Sequence, residues 1–365
     1  MKNKILFISS EFPPLPGGIG NHAFLLSKNL QKNNYLVKVI TNHRENKFNI
    51  ENKFDSNQAF EIIRVKRYKI ILFTYLLRIL NVFFHSKNRQ IIIASGKFSL
   101  WCVALIKLVK SHKKCIAIIL GSEVNAGSKL SKKLTFWSLK KMDNIIAVSQ
   151  FTKNIALKEN KNLNINVIHN GFELNNFEHN KNELLGKPAI ITVGNLTKRK
   201  GQHNFIKAIP KIRDVFPQLH YHLVGLPTER ENLENLAKEL KVVEHITFHG
   251  AVSEEKKIGL LKNSQIFLML SNSIENGEVE GFGIAILEAN SLGIPAIGSI
   301  NSGISEAIKS NYNGILVDPN NIEEIERALI NIINNYKTFS LNSKEWANFF
   351  NWDVIIEEYK IILES

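Results

Sequence analysis

The feature that most constrains this chain is an alternation. Short runs of branched apolar residues recur along it, separated by longer stretches with helical spacing. The runs at 5–9, 36–41, 61–65, 90–94, 115–120, 144–148 and 166–168 predict strands. Helices are expected between them, at 21–32, 70–84, 98–109, 129–141 and 150–159. A strand buried on both faces of a parallel sheet reads as a continuous apolar run, which is the pattern seen here. Residues 173–187, rich in Asn and Glu, break the alternation and are expected to form a linker. It then restarts, with strands expected at 189–193, 220–224, 245–248, 266–270, 296–298 and 314–317. Helices are expected at 202–215, 230–240, 254–262, 284–292, 304–309 and 322–336, and a last amphipathic helix at 352–363.

This pattern predicts an α/β chain with two Rossmann-like, doubly wound domains facing across a cleft, with ligands at the C-terminal ends of the strands. The expected boundaries are 1–172, a linker at 173–187, a second domain at 188–348, and a closing segment at 349–365. A length of 365 residues suits two domains. Charge separates the halves as well. Residues 1–180 hold 28 Lys+Arg and 10 Asp+Glu, a formal +18, whereas residues 181–365 hold 19 and 23, a formal −4. Such asymmetry points to a polyanion or an anionic membrane as partner of the first half. Cys102 and Cys115 sit in apolar runs without metal-ligand spacing, which fits a reducing cytoplasm. The apolar stretch 5–8 is too short for a signal peptide, and no run of about 18 apolar residues predicts a membrane span.

Chemistry concentrates in Glu280-Gly-Phe-Gly-Ile-Ala-Ile-Leu-Glu288. Two glycines flank Phe282 just before an apolar helix. Gly283 and Ile284 would open that helix, whose N-terminus favours an anion such as a diphosphate. Glu280 precedes the helix, and Glu288, about one turn in, can accept from two ribose hydroxyls. Taken alone, the segment also fits a capped core helix with two solvated glutamates. Lys198, Arg199 and Lys200 place three cations before another expected helix, where they would stabilise a departing nucleoside diphosphate. The loop with Gly17 and Gly18 can lay backbone N–H groups against a phosphate or a sugar.

With their neighbours, these stretches resemble the retaining GT-B glycosyltransferases, family 4. Glu280 and Glu288 match that family's E-x7-E motif. Ala289-Asn-Ser-Leu-Gly-Ile-Pro-Ala296 and Asn313-Gly-Ile-Leu-Val-Asp-Pro319 resemble its following stretches. Pro16-Gly-Gly-Ile-Gly20, Ala147-Val-Ser-Gln-Phe-Thr152, Val167-Ile-His-Asn-Gly171 and Val193-Gly-Asn-Leu-Thr-Lys-Arg-Lys-Gly201 extend the likeness over nearly the whole chain. The resemblance implies a nucleotide-sugar donor in the second domain and an acceptor in the first. Glu280 would position the sugar, Glu288 the ribose, and Arg199 and Lys200 the diphosphate. Phe248-His-Gly250 resembles the segment that holds the nucleobase through backbone groups, and the closing helix resembles one that crosses back onto the first domain.

Two positions depart from the family. Asn195 stands where an arginine usually follows the first glycine, and Arg199 is the expected substitute. Leu120 precedes Gly121-Ser-Glu123 where many members carry histidine. His22 and Glu123 are then the candidates for the acceptor side, while His169, His245 and His249 are expected to be structural. Gly18-x-Gly20-x-x-Ala23 fits a dinucleotide pattern, but a six-residue stretch, Glu11–Pro16, separates it from the strand, and the second strand ends without an acidic residue.

The five aspartates form no Asp-x-Asp pair, so no metal and no cofactor are expected. No nucleic-acid-binding pattern is present. Lys66-Arg67-Tyr68-Lys69 precedes an apolar stretch interrupted by Arg78 and Asn81, which suits a helix lying in an anionic membrane interface or a buried domain helix with a basic edge. The expected function is retaining hexosyl transfer from a UDP- or GDP-sugar to a glycan or polyprenyl-linked acceptor. The expected location is the cytoplasm, peripheral on the membrane's inner face. The alternatives are an NAD(P)-dependent oxidoreductase or epimerase, and a catalytically silent sugar-nucleotide-binding relative.

Overall fold

The computed structural model of the chain describes residues 3–45, 49–174, 184–272 and 277–365. The chain forms two units, Met1–Gly171 with Trp352–Ser365, and Phe172–Asn351. Of the expected linker, residues 175–183 lie outside the described residues.

The first unit runs β1 (Lys4–Ser9), α1 (Gly18–Lys32), β2 (Leu36–Asn42), α2 (Asn49–Ser56), β3 (Glu61–Val65), α3 (Ile71–His85) and β4 (Ile91–Ser95). It continues α4 (Lys97–Val109), β5 (Lys114–Ile119), α5 (Ser122–Asn125), α6 (Lys129–Leu139), β6 (Asn144–Ala147), α7 (Gln150–Glu159) and β7 (Ile165–Val167). The sheet order is β3-β2-β1-β4-β5-β6-β7 and every pairing is parallel. In the middle of the sheet Phe7 lies between Val39 and Ile93. Residues Ile5–Ile8 are fully buried, because this strand has covered faces on both sides. Strand order reverses between β1 and β4, which opens a crevice at their C-terminal ends.

The second unit runs β8 (Ala189–Val193), α8 (Gln202–Val215), β9 (His220–Val224), α9 (Arg230–Glu239), β10 (Ile246–Gly250) and α10 (Glu254–Lys262). It closes with β11 (Ile266–Met269), α11 (Ile284–Ser291), β12 (Ala296–Ser299), β13 (Gly314–Val317), α12 (Ile322–Asn334) and α13 (Tyr336–Asn348). This sheet is also parallel, in the order β10-β9-β8-β11-β12-β13. Its order reverses between β8 and β11. The terminal helix α14 (Trp352–Glu364) returns to the first unit and packs on α1. Trp352 is buried with its indole against Gly171, where an added Cβ would come within 2.7 Å of the ring.

Four elements differ from expectation, among them the one-turn helix α5. Residues 304–309 form only a short 3-10 turn, Gly303–Glu306. Helix α13 was not expected, because its inward face is Phe339, Ser343 and Ala347, mostly small side chains that carry little apolar signal. Helix α2 is short and polar and buries only Glu51, whose carboxylate bonds His43 and Arg64. Residues 10–17 separate β1 from α1, so the first turn is not the tight one of a dinucleotide site.

Candidate active site

Four segments converge where the order of the second sheet reverses. Beyond β8 a 3-10 turn, Lys198–Lys200, carries the three cations. The backbone N–H of Asn272, just past β11, donates to the Arg199 carbonyl at 2.8 Å. The turn is thus tied to the neighbouring strand end. Glu280 reaches this turn from the loop before α11. Its Oε2 lies 2.8 Å from Lys200 Nζ and also accepts from Arg199 Nη1. Lys198 is exposed. Burial pushes the Glu280 carboxyl up, but the charges of Lys200 and Arg199 overcome this and hold it below the usual carboxylate range.

Helix α11 starts behind Glu280. Gly283 is its N-cap and Ile284 its first residue, and no side chain caps its N–H groups. The positive end of the helix therefore faces the same region, where it favours an anion. Phe282 turns its ring into the core, 5.7 Å from that of Phe350. One turn on, Glu288 accepts from Lys257 Nζ at 3.1 Å, and Lys257 also pairs with Glu254. Burial raises the Glu288 carboxyl and Lys257 opposes the rise, with a net upward shift. Gly250 ends β10, and its carbonyl accepts from Gly225 N at 2.9 Å. Asn195 is exposed, and its carbonyl accepts from Gln202. His249 pairs with His222 at 3.1 Å, and His245 donates to the Leu219 carbonyl.

In the first unit, Gly17 is the N-cap of α1 and Gly18 its first residue. Arg44 donates to the carbonyls of Leu15 and Pro16 and so holds the loop before them. The two acceptor-side candidates are both buried. His22 is 1% exposed, bonds Tyr359 at 3.0 Å and lies against Trp352, so it packs the terminal helix. Burial lowers its pKa to about 4, so it stays neutral near pH 7. Glu123 is 3% exposed and accepts from the Leu120 backbone N–H. Neither side chain is presented to solvent, although Glu123 Oε1 and His22 Nδ1 are buried without a hydrogen-bond partner.

Comparison with known proteins decides the family. Residues 175–346 match the family model described as glycosyl transferases group 1, and residues 16–176 match that of glycosyltransferase family 4. The chain belongs to this glycosyltransferase family. An uncharacterized glycosyltransferase of Methanocaldococcus jannaschii is 28% identical over 100% of this chain and 98% of its own length. A GDP-mannose-dependent alpha-(1-6)-phosphatidylinositol monomannoside mannosyltransferase of Mycobacterium tuberculosis is 28% identical over 46% of this chain and 45% of its own. Among solved structures, Anabaena HepE, in complex with UDP and glucose, superposes with a TM-score of 0.81 at 18% identity, covering 99% of each chain. The GT-B fold is thereby established.

Several residues around this candidate site were not singled out from the sequence. Lys257 stands 31 positions from Glu288, and no local pattern links them. Gly303 supports the backbone of Glu280: its N–H donates to the Glu280 carbonyl at 3.0 Å, and a Cβ there would lie 2.2 Å from Gly281. The hydroxyls of Thr197 and Ser271, close in sequence to the cation turn and to the end of β11, are buried without a hydrogen-bond partner. Buried polar atoms are normally satisfied, so these two hydroxyls are suited to a polar ligand. Ser271 had one signal in the sequence, its place directly after an apolar strand at an expected C-terminal edge.

Proposed function

We propose that this glycosyltransferase transfers a hexosyl group from a UDP- or GDP-sugar with retention of anomeric configuration, without a metal. The observation that carries this reading is the cluster of Arg199, Lys200 and Glu280 at the β8/β11 switch point, beside the uncapped N-terminus of α11. A diphosphate needs two or three fixed positive groups, and here they are side chains and helix N–H groups. That supply, with no Asp-x-Asp pair in the chain, supports metal-independent transfer. Glu280 positions the donor sugar, Glu288 accepts from the ribose hydroxyls, and the backbone near Gly250 meets the nucleobase. Arg199 takes the part of the arginine that Asn195 replaces. The bond between the anomeric carbon and the phosphate oxygen breaks as the acceptor oxygen bonds to the same face of that carbon. The acceptor proton passes to the departing phosphate oxygen.

The first unit binds the acceptor, and the backbone of its loop at Gly17 and Gly18 meets the phosphate or the sugar of the donor. The relatives' names, with GDP-mannose, a phosphatidylinositol mannoside, UDP and glucose among them, support a hexose nucleotide as donor and a glycolipid or glycan acceptor. A polyprenyl-linked acceptor in cell-surface polysaccharide synthesis belongs to the same proposal. The enzyme works in the cytoplasm, peripherally on the inner face of the membrane. Both cysteines are buried and free, in keeping with a reducing compartment. A thermal-shift screen of nucleotide sugars tests the donor, and proton NMR of the product tests retention. A UDP- or GDP-sugar should raise the melting temperature in the presence of EDTA. A shift with NADH alone, or a product of inverted configuration, would overturn the reading.

A further inference from the structure

The outer face of α3 carries Leu72, Leu76, Leu80 and Phe84, spaced four residues apart and between 42% and 73% exposed. They form one stripe along the helix. Leu108 and Val109, at the end of the adjacent α4, are equally exposed. The C-terminal ends of these helices are tied together, because Lys110 Nζ donates to the Phe83 carbonyl and to Ser86 Oγ, both at 2.8 Å. Arg78, the charge that divides this stretch in the sequence, is buried. Its guanidinium donates to the Ser9 carbonyl and to Ser99 Oγ, so it anchors α3 from beneath and leaves the outer stripe uninterrupted.

Charge says what covers this face. Residues 62–122 contain twelve Lys and Arg and no Asp or Glu. Lys66, Arg67 and Lys69 are exposed just before the stripe, and Lys87 just after it. An apolar stripe with cations at both ends and no carboxylate in its stretch of chain matches a surface that is apolar within and anionic at its rim. We infer that the outer face of α3, with the end of α4, is a docking surface for an anionic lipid bilayer. The inference rests on the peripheral placement proposed above and names the surface responsible.

It also orients the first unit. Arg64, two residues before Lys66, donates to the Pro13 carbonyl in the loop that leads to Gly17. The chain segment that leads into the basic end of the docking face is therefore tied to the loop before Gly17. Docking brings this part of the first unit, the unit proposed to bind the acceptor, toward headgroup level, where a lipid-linked acceptor presents its saccharide.

Sedimentation of the full chain with phosphatidylcholine vesicles, with and without 30 mol% phosphatidylglycerol, tests the inference. Three forms are compared: wild type, Leu72→Ser/Leu76→Ser/Leu80→Ser, and Lys66→Glu/Arg67→Glu/Lys69→Glu. All these positions lie on the surface and outside the proposed donor site, and a circular-dichroism melting curve like that of wild type reports correct folding. Wild type should bind the anionic vesicles at 50 mM salt. Each variant should lose at least tenfold in partition coefficient, and the serine variant should lose most at 300 mM salt, where charge is screened. Equal binding by wild type and both variants would overturn the assigned face and leave the peripheral placement standing. No binding by wild type would overturn both. A wild-type dimer by light scattering, dissolved by the serine substitutions, would assign the face to a second copy and overturn the inference.

Discussion

Glu280 pairs with Arg199 and Lys200, the two charges proposed to hold the diphosphate. Carboxylate and diphosphate compete for the same N–H groups. Glu280→Gln should therefore tighten binding of UDP or GDP several-fold by calorimetry, since one competitor is gone. Weaker binding in that variant would contradict the competition. Lys257→Met removes the cation that opposes the upward shift of Glu288. The Glu288 carboxyl should then protonate at still higher pH, and donor KM should rise roughly tenfold, about 1.4 kcal/mol, at pH 7. The loss should grow as pH falls, because a protonated carboxyl accepts fewer hydroxyls. An unchanged KM between pH 6 and 8 would remove Glu288 from the donor site. At this scale Glu280 and the cations were legible in the chain, because glycines and helix starts mark them locally. Lys257 and Gly303 were not, since only folding brings them to Glu288 and Glu280.

The central strands were legible for a simple reason: they are buried on both faces, and Ile91–Ser95 or Ile266–Met269 can hardly read as anything else. Helix α13 was not, because helix packing against it uses Ser343 and Ala347 as much as Phe339. The paired strands β9 and β10 carry a further, pH-dependent feature. His220 bonds Thr247, and His222 bonds His249 and the Leu185 carbonyl. Burial first, and then neighbouring cationic groups, lowers His220 and His249 to about 4. For His220 these neighbours are His222, His245 and His249, and for His249 they are His222 and Lys256. In the unfolded chain both titrate near 6.5. Above that pH neither state gains a proton. Between 6.5 and 4 the unfolded chain gains protons that the folded one resists, so stability falls. From pH 7 to 5 the pair should cost about 2 kcal/mol, after halving for solvent screening. That corresponds to a drop of roughly 4–8 °C in melting temperature. Calorimetry of wild type against His220→Gln/His249→Gln checks this, and the double variant should give the flatter profile.

Over the whole molecule, charge and chemistry are divided between the two units. The second carries the residues proposed for the donor within a mildly acidic half, so Lys198–Lys200 is a local cation cluster rather than part of a general field. The first holds the basic excess, of which Lys66, Arg67, Lys69 and Lys87 flank the exposed apolar stripe of α3. No helix among the described residues is long and apolar enough to cross a membrane. The two-unit architecture was legible from the interrupted alternation alone. The burial of His22 was not, because it depends on α14 returning from the far end of the chain to place Tyr359 against it. The central claim is that the Arg199–Lys200–Glu280 cluster binds and turns over a nucleotide sugar. Its most direct test is the release of UDP or GDP from a panel of nucleotide sugars by wild type, Glu280→Ala and Lys200→Met. The account predicts that wild type consumes a UDP- or GDP-hexose and that each variant releases nucleotide at least 100-fold more slowly. Release by the folded variants at the wild-type rate would contradict it.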